Sequence, residues 1–128
     1  MSFQLRPRLY SLLLCRSITQ DRDSGGWIVH PFSEISVREM PADLTMAVFA
    51  QIMAPPGEYA LALRMFHAAD PEGSRRVLQP RPFNVQEGKN LDFLLQVQVH
   101  VTQLGLYLLE AEIVDHHALQ APLRVSAA

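Results

Sequence analysis

From Leu91 to Val101 every odd-numbered position is apolar: Leu91, Phe93, Leu95, Val97, Val99 and Val101. The even positions Asp92, Gln96, Gln98 and His100 are polar, and only Leu94 breaks the alternation. A second run follows Gly105, with Tyr107, Leu109, Ala111 and Ile113 set against Glu110, Glu112 and Asp115. Successive side chains on a strand point to opposite faces, so this alternation predicts strands with one face on a core and one in water. Apolar runs bounded by turn residues predict further strands over residues 8–19, 27–37, 44–53 and 58–68. Short strands follow over 75–78 and 83–86, and a last one over 119–125, with Leu123 and Val125 facing inward. Pro31 predicts an irregularity, because proline cannot donate to a ladder. Asp70-Pro71-Glu72-Gly73 has proline second and glycine fourth, the pattern of a β-turn. Residues 87–90 form another expected turn. The best helix candidate is 32–40, yet Ile35 and Val37 favour a strand there.

Short strands separated by turns predict an all-β fold: a two-sheet antiparallel β-sandwich of about 7–9 strands, immunoglobulin-like or C2-like. One domain over residues 1–128 suits this length. Two strands depart from alternation. Leu44, Met46, Val48, Ala50 and Ile52 face one way, while Ala47, Phe49 and Met53 face the other. Tyr59, Leu61, Leu63 and Met65 likewise oppose Ala60, Ala62 and Phe66. A sandwich normally buries one face of each sheet, so the second face needs cover or a partner. Phe49, Met53 and Phe66 form the expected protein-contact patch, with the 74–87 connection as the alternative cover.

Composition narrows the function classes. Hydrophobic residues make up 48%, which fits a packed domain. A net charge of −2 argues against a general binder of nucleic acid or anionic membranes. The single cysteine, Cys15, rules out an internal disulfide and fits a cytoplasmic protein. Arg6 and Arg8 precede an apolar run ending at Cys15, but the run is too short and interrupted for a signal peptide.

Candidate chemistry is sparse. Asp115-His116-His117 is the weak metal candidate, with His30, His67 and His100 as possible further ligands. Adjacent strand residues point to opposite faces, so both histidines ligate together only in a bent turn. The run Asp21-Arg22-Asp23-Ser24-Gly25-Gly26 has the start of a calcium loop but lacks its closing carboxylate, since Phe32 stands at position twelve. A calcium-dependent lipid-binding sandwich would also draw on Asp70 and Glu72. Arg75-Arg76, with Arg81 and Arg64, reads as a charged, solvated edge. Cys15 lies in an apolar strand and reads as a small core residue.

Gln103-Leu104-Gly105-Leu106-Tyr107 resembles the tyrosine corner of immunoglobulin-like sandwiches, where a tyrosine hydroxyl ties back to the loop before its strand. Cys15 and Trp27 are spaced like the first cysteine and core tryptophan of such domains, but Leu109 stands where the second cysteine would be. The chain as a whole resembles a bacterial family of small uncharacterised β-sandwich proteins. The likeness runs through Leu12-Leu13-Leu14-Cys15, the expected strand from Trp27 to Ile35, Met40-Pro41-Ala42, Pro56-Gly57-Glu58-Tyr59, Asp70-Pro71-Glu72-Gly73, Gly105-Leu106-Tyr107 and Ala121-Pro122-Leu123-Arg124-Val125. That resemblance implies the fold and carries no activity. The resulting expectation is a non-enzymatic module without cofactor, working through protein contacts as a homo-oligomer or a subunit of a larger assembly. Metal or ligand binding at Asp115-His116-His117 is the alternative.

Overall fold

The computed structural model describes residues 6–87 and 89–128. Gly88 of the expected 87–90 turn and the first five residues of the expected domain lie outside the described residues. Nine strands are present among the described residues: β1 (Arg8–Gln20), β2 (Trp27–Pro31), β3 (Glu34–Val37), β4 (Ala42–Met53), β5 (Gly57–His67), β6 (Arg75–Val85), β7 (Leu91–Val101), β8 (Gly105–Ile113) and β9 (His117–Ala127). A short 3-10 turn, Pro71–Gly73, joins β5 to β6. The strands form two sheets, a four-stranded one ordered β2-β1-β4-β7 and a five-stranded one ordered β3-β9-β8-β5-β6. Neighbours pair antiparallel except β3 and β9, which are parallel.

The inward faces match the alternation. Leu44, Met46, Val48, Ala50 and Ile52 of β4 meet Leu61, Leu63 and Met65 of β5, and the odd residues of β7 and β8 complete the same core. Among the described residues no polar or charged side chain is buried. The core is therefore held by apolar burial, worth about 25 cal/mol for each Å² removed from water.

Two features of the sequence pattern resolve differently from expectation. The expected strand at 27–37 is two strands. The chain leaves the four-stranded sheet after Pro31 and rejoins the other sheet at Glu34, beside Arg124 of β9. The two short strands expected between 75 and 86 are one, β6, because it lies at a sheet edge. There Pro80 and Pro82 are tolerated, and register shifts at Leu61–Leu63 and Leu63–Arg64 absorb the misfit.

A glycine-x-tyrosine pattern opens two neighbouring strands. The Tyr107 hydroxyl donates to the Gln103 carbonyl at 2.8 Å and accepts from the Gln103 amide at 3.4 Å. The Tyr59 hydroxyl donates to the Pro55 carbonyl at 2.8 Å, again four residues back. Each ring fills space between the sheets while its polar tip is satisfied by the preceding turn. Gly105 sits at φ +121, and a Cβ there would come within 2.7 Å of His67 Nε2. Only glycine fits this approach.

Candidate contact surface

The outer face of the four-stranded sheet is built by register. Leu13 of β1 lies opposite Phe49 of β4, which lies opposite Leu94 of β7, so the three form one apolar row. Cys15, Ala47 and Gln96 form the next row, and Ser11, Gln51 and Asp92 the one on the other side. Phe49 is only 5% exposed although it faces away from the core.

The cover comes from the β1–β2 hairpin. β1 pairs with β4 only as far as Cys15; beyond it, across a register shift, β1 pairs with β2 alone. The Trp27 indole then donates to Asp92 Oδ2 at 3.1 Å, and Gln51 donates to the other carboxylate oxygen at 3.2 Å. β2 and β7 are opposite edges of this sheet. A bond between their side chains requires the hairpin to fold across the outer face. A groove of about 420 Å³ runs beneath it, lined by Arg16, Ile18, Trp27, Ala47, Leu94 and Gln96 among others. Trp27 remains 39% exposed and Leu94 40% exposed.

The expected patch of Phe49, Met53 and Phe66 is therefore corrected. Phe49 and Met53 lie on β4 and Phe66 on β5, in different sheets. Outward faces of two packed sheets look in opposite directions, so these residues form no single surface. Phe66 is 8% exposed, beneath the Arg64 guanidinium, which stands 5.7 Å from its ring centre. Residues 75–85 extend the five-stranded sheet as β6 and do not cover β4. Trp27 is likewise no core tryptophan. The residues that mark the real cover are Trp27 and Asp92, 65 positions apart in the chain.

The candidate chemistry does not converge. Asp115 occupies the left-handed position of the β8–β9 turn, at φ 66. His117 accepts the Leu9 amide on Nδ1 at 3.0 Å, whereas the His116 ring stands edge-on to Tyr59 at 5.5 Å. His67 uses both ring nitrogens, toward the Leu104 carbonyl and the Ala69 amide, and His100 meets Asp43 at 2.7 Å. His30 sits on β2, opposite Ser17. Among the described residues no three histidines, cysteines, aspartates or glutamates gather in metal-binding geometry.

The Asp21 carboxylate turns inward on its own loop, accepting from the Ser24 hydroxyl at 2.7 Å and from the Ser24 and Asp23 amides. The Ser24 hydroxyl, followed by those amides, holds this carboxyl below its usual range. Asp70 similarly caps Gly73 in the 3-10 turn. Burial pushes the Cys15 thiol above its ordinary value, with a smaller opposing effect from the Phe49 backbone. A cleft of about 390 Å³ at one end of the sandwich is lined by His67, Asp70, Arg75, Arg76, His100 and Tyr107 among others. The charged edge expected at Arg75, Arg76 and Arg81 is present on β6, and Arg64 pairs with Glu110 at 2.7 Å.

No protein-family model matches the chain, and no curated protein matches it significantly. Among the described residues no helix is long and apolar enough to cross a membrane.

Proposed function

We propose that this chain is a non-enzymatic interaction module of immunoglobulin-like architecture that works through protein contacts. The architecture has two supports. The order β1-β4-β7 opposite β9-β8-β5-β6 parallels the A-B-E and G-F-C arrangement of such sandwiches, with β6 as the added C′ strand. Tyr107, at the start of the F-like strand, makes the backbone bond of a tyrosine corner. The likeness to a bacterial family of small β-sandwich proteins belongs to the same proposal.

The observation that carries the functional reading is the exposure of Trp27 and Leu94 along one groove. Two large apolar side chains lining one groove and partly open to water, on a face otherwise covered by its own hairpin, suit a protein contact. Leu94 is the residue that breaks the alternation of its strand, and folding gives it no core to fill.

The test is Leu94→Glu, compared with wild type by sedimentation and by retention of cross-linked partners on immobilised protein. The variant is expected to keep the wild-type circular dichroism and to lose the wild-type association. A wild type that stays monomeric at its highest soluble concentration and retains nothing would refute the reading.

A further inference from the structure

The free edge of β7 names the partner more narrowly: we infer that a second copy of this chain pairs with it, antiparallel, joining the two four-stranded sheets into one. This rests on the reading of the chain as a protein-contact module.

The four sheet edges differ in how they are protected. β2 is five residues long and ends in Pro31, and β3 is four residues long. β6 carries Arg75, Arg76 and Arg81, the prolines Pro80 and Pro82, and two register shifts. Short length, proline, charged side chains (lysine above all), bulges and a covering loop are the devices that stop one sheet from joining another. β7 is long, unbulged and free of proline, and its only charged side chains are Asp92, which accepts from Trp27 and Gln51, and His100, which meets Asp43. Its eleven residues pair with β4 in unbroken register, from Leu91↔Ile52 to Val101↔Ala42, without proline, glycine, lysine or arginine. On its other side no strand pairs with it among the described residues, which leaves the template that strand addition uses.

Complementarity selects a second copy as the occupant. Directly opposed residues of an antiparallel pair lie on the same face, so a two-fold axis must pass through a residue and not between two. Full overlap of Leu91–Val101 with itself puts that axis at Gln96. On the core side Leu91 then opposes Val101, Phe93 opposes Val99, and Leu95 opposes Val97. Leu91 and Phe93 are half-buried in the single copy and gain cover from this pairing. On the outer side Gln96 meets Gln96, Leu94 meets Gln98, and Asp92 meets His100. Asp92 and His100 are the only titratable residues of the strand, and full overlap sets them opposite each other at both ends, with each Asp92 carboxylate also accepting from Trp27 and Gln51 of its own chain. His100 uses Nδ1 toward Asp43, while its Nε2 has no partner among the described residues. The arginines and prolines of β6 limit the joining to the four-stranded sheet.

Sedimentation of wild type, Gln96→Lys and Gln96→Thr tests the pairing, together with oxidative cross-linking of Gln96→Cys and Gln98→Cys. Gln96 is exposed, so these variants keep the fold. Wild type and Gln96→Thr are expected to dimerise. Gln96→Lys places two ammonium groups face to face and is expected to weaken the dimer by about tenfold or more. Gln96→Cys is expected to form a covalent dimer, because its opposed Cα atoms lie about 4.5–5.5 Å apart. Gln98→Cys is expected not to, because its two copies sit four residues out of step, about 14 Å apart. Cys15, fully buried, serves as the unreactive control. A monomeric wild type, a Gln96→Lys dimer as tight as wild type, or equal cross-linking at 98 and 96 overturns the inference. A monomeric wild type that still retains another protein through Leu94 overturns the self-pairing and leaves the contact-module reading standing.

Discussion

Phe49 and Leu94 are neighbours in one cross-strand row on the same face of one sheet, yet they are 5% and 40% exposed. If the β1–β2 hairpin covers that face, truncating the two must have very different consequences. Phe49→Ala removes a nearly fully buried ring from between sheet and hairpin. Such a truncation costs about 3–5 kcal/mol, combining lost transfer energy with the cavity left behind. Leu94→Ala removes a side chain already wet over much of its surface, at a cost of about 1 kcal/mol or less. With a urea slope of about 2 kcal/mol per molar, Phe49→Ala lowers the unfolding midpoint by about 1.5–2.5 M and Leu94→Ala by about 0.5 M or less. A domain stable by about 5–15 kcal/mol survives the second easily and the first only narrowly. Far-UV circular dichroism reports the whole fold, and fluorescence of the single tryptophan, Trp27, reports the hairpin. The two signals are expected to change together if the hairpin is docked. A Phe49→Ala midpoint within about 0.5 M of wild type, or equal losses at both positions, would refute the argument that the hairpin covers this face.

Tyr107→Phe keeps the ring and removes the bond to the Gln103 carbonyl. It is expected to cost about 1 kcal/mol in the same urea assay, and an unchanged midpoint would show that the corner bond adds nothing. Gly105→Ala forces a strained φ and drives a Cβ into His67, so a loss of about 1–3 kcal/mol is expected, partly recovered when combined with His67→Ala. No recovery in the double variant would count against the His67 contact. For Cys15, burial raises the folded-state thiol pKa. Its contribution is therefore whole below the ordinary thiol value and is lost as pH rises through the folded value. Stability measured from neutral to alkaline pH is expected to fall more steeply in wild type than in Cys15→Ala, and parallel profiles would contradict this.

Alternation along β7 and β8 was enough to identify strands, their inward residues and the turn at Gly105, because the two-residue period of a strand acts on nearest neighbours alone. The corner at Tyr107 was legible for the same reason: its partner is four residues away. Tyr59 carried the same glycine-x-tyrosine signal and shows that the pattern generalises within the chain. The second apolar face of β4 and β5 was also visible, but not what lay on it. On β4 that face is covered by a hairpin from the other edge of its sheet, and on β5 Phe66 lies beneath Arg64. The two phenylalanines of the expected patch are in different sheets. Which strand joins which sheet depends on contacts between residues far apart in the chain, such as Trp27 with Asp92 and Glu34 with Arg124. Local period carries no information about such pairs. The sequence by itself determined the all-β character, the alternating strands β7 and β8 with their core-facing side, and the corner. Only the tertiary structure decided that the cover of Phe49 is internal, that Leu94 stays wet, and that β7, long and free of proline and bulges, is a sheet edge.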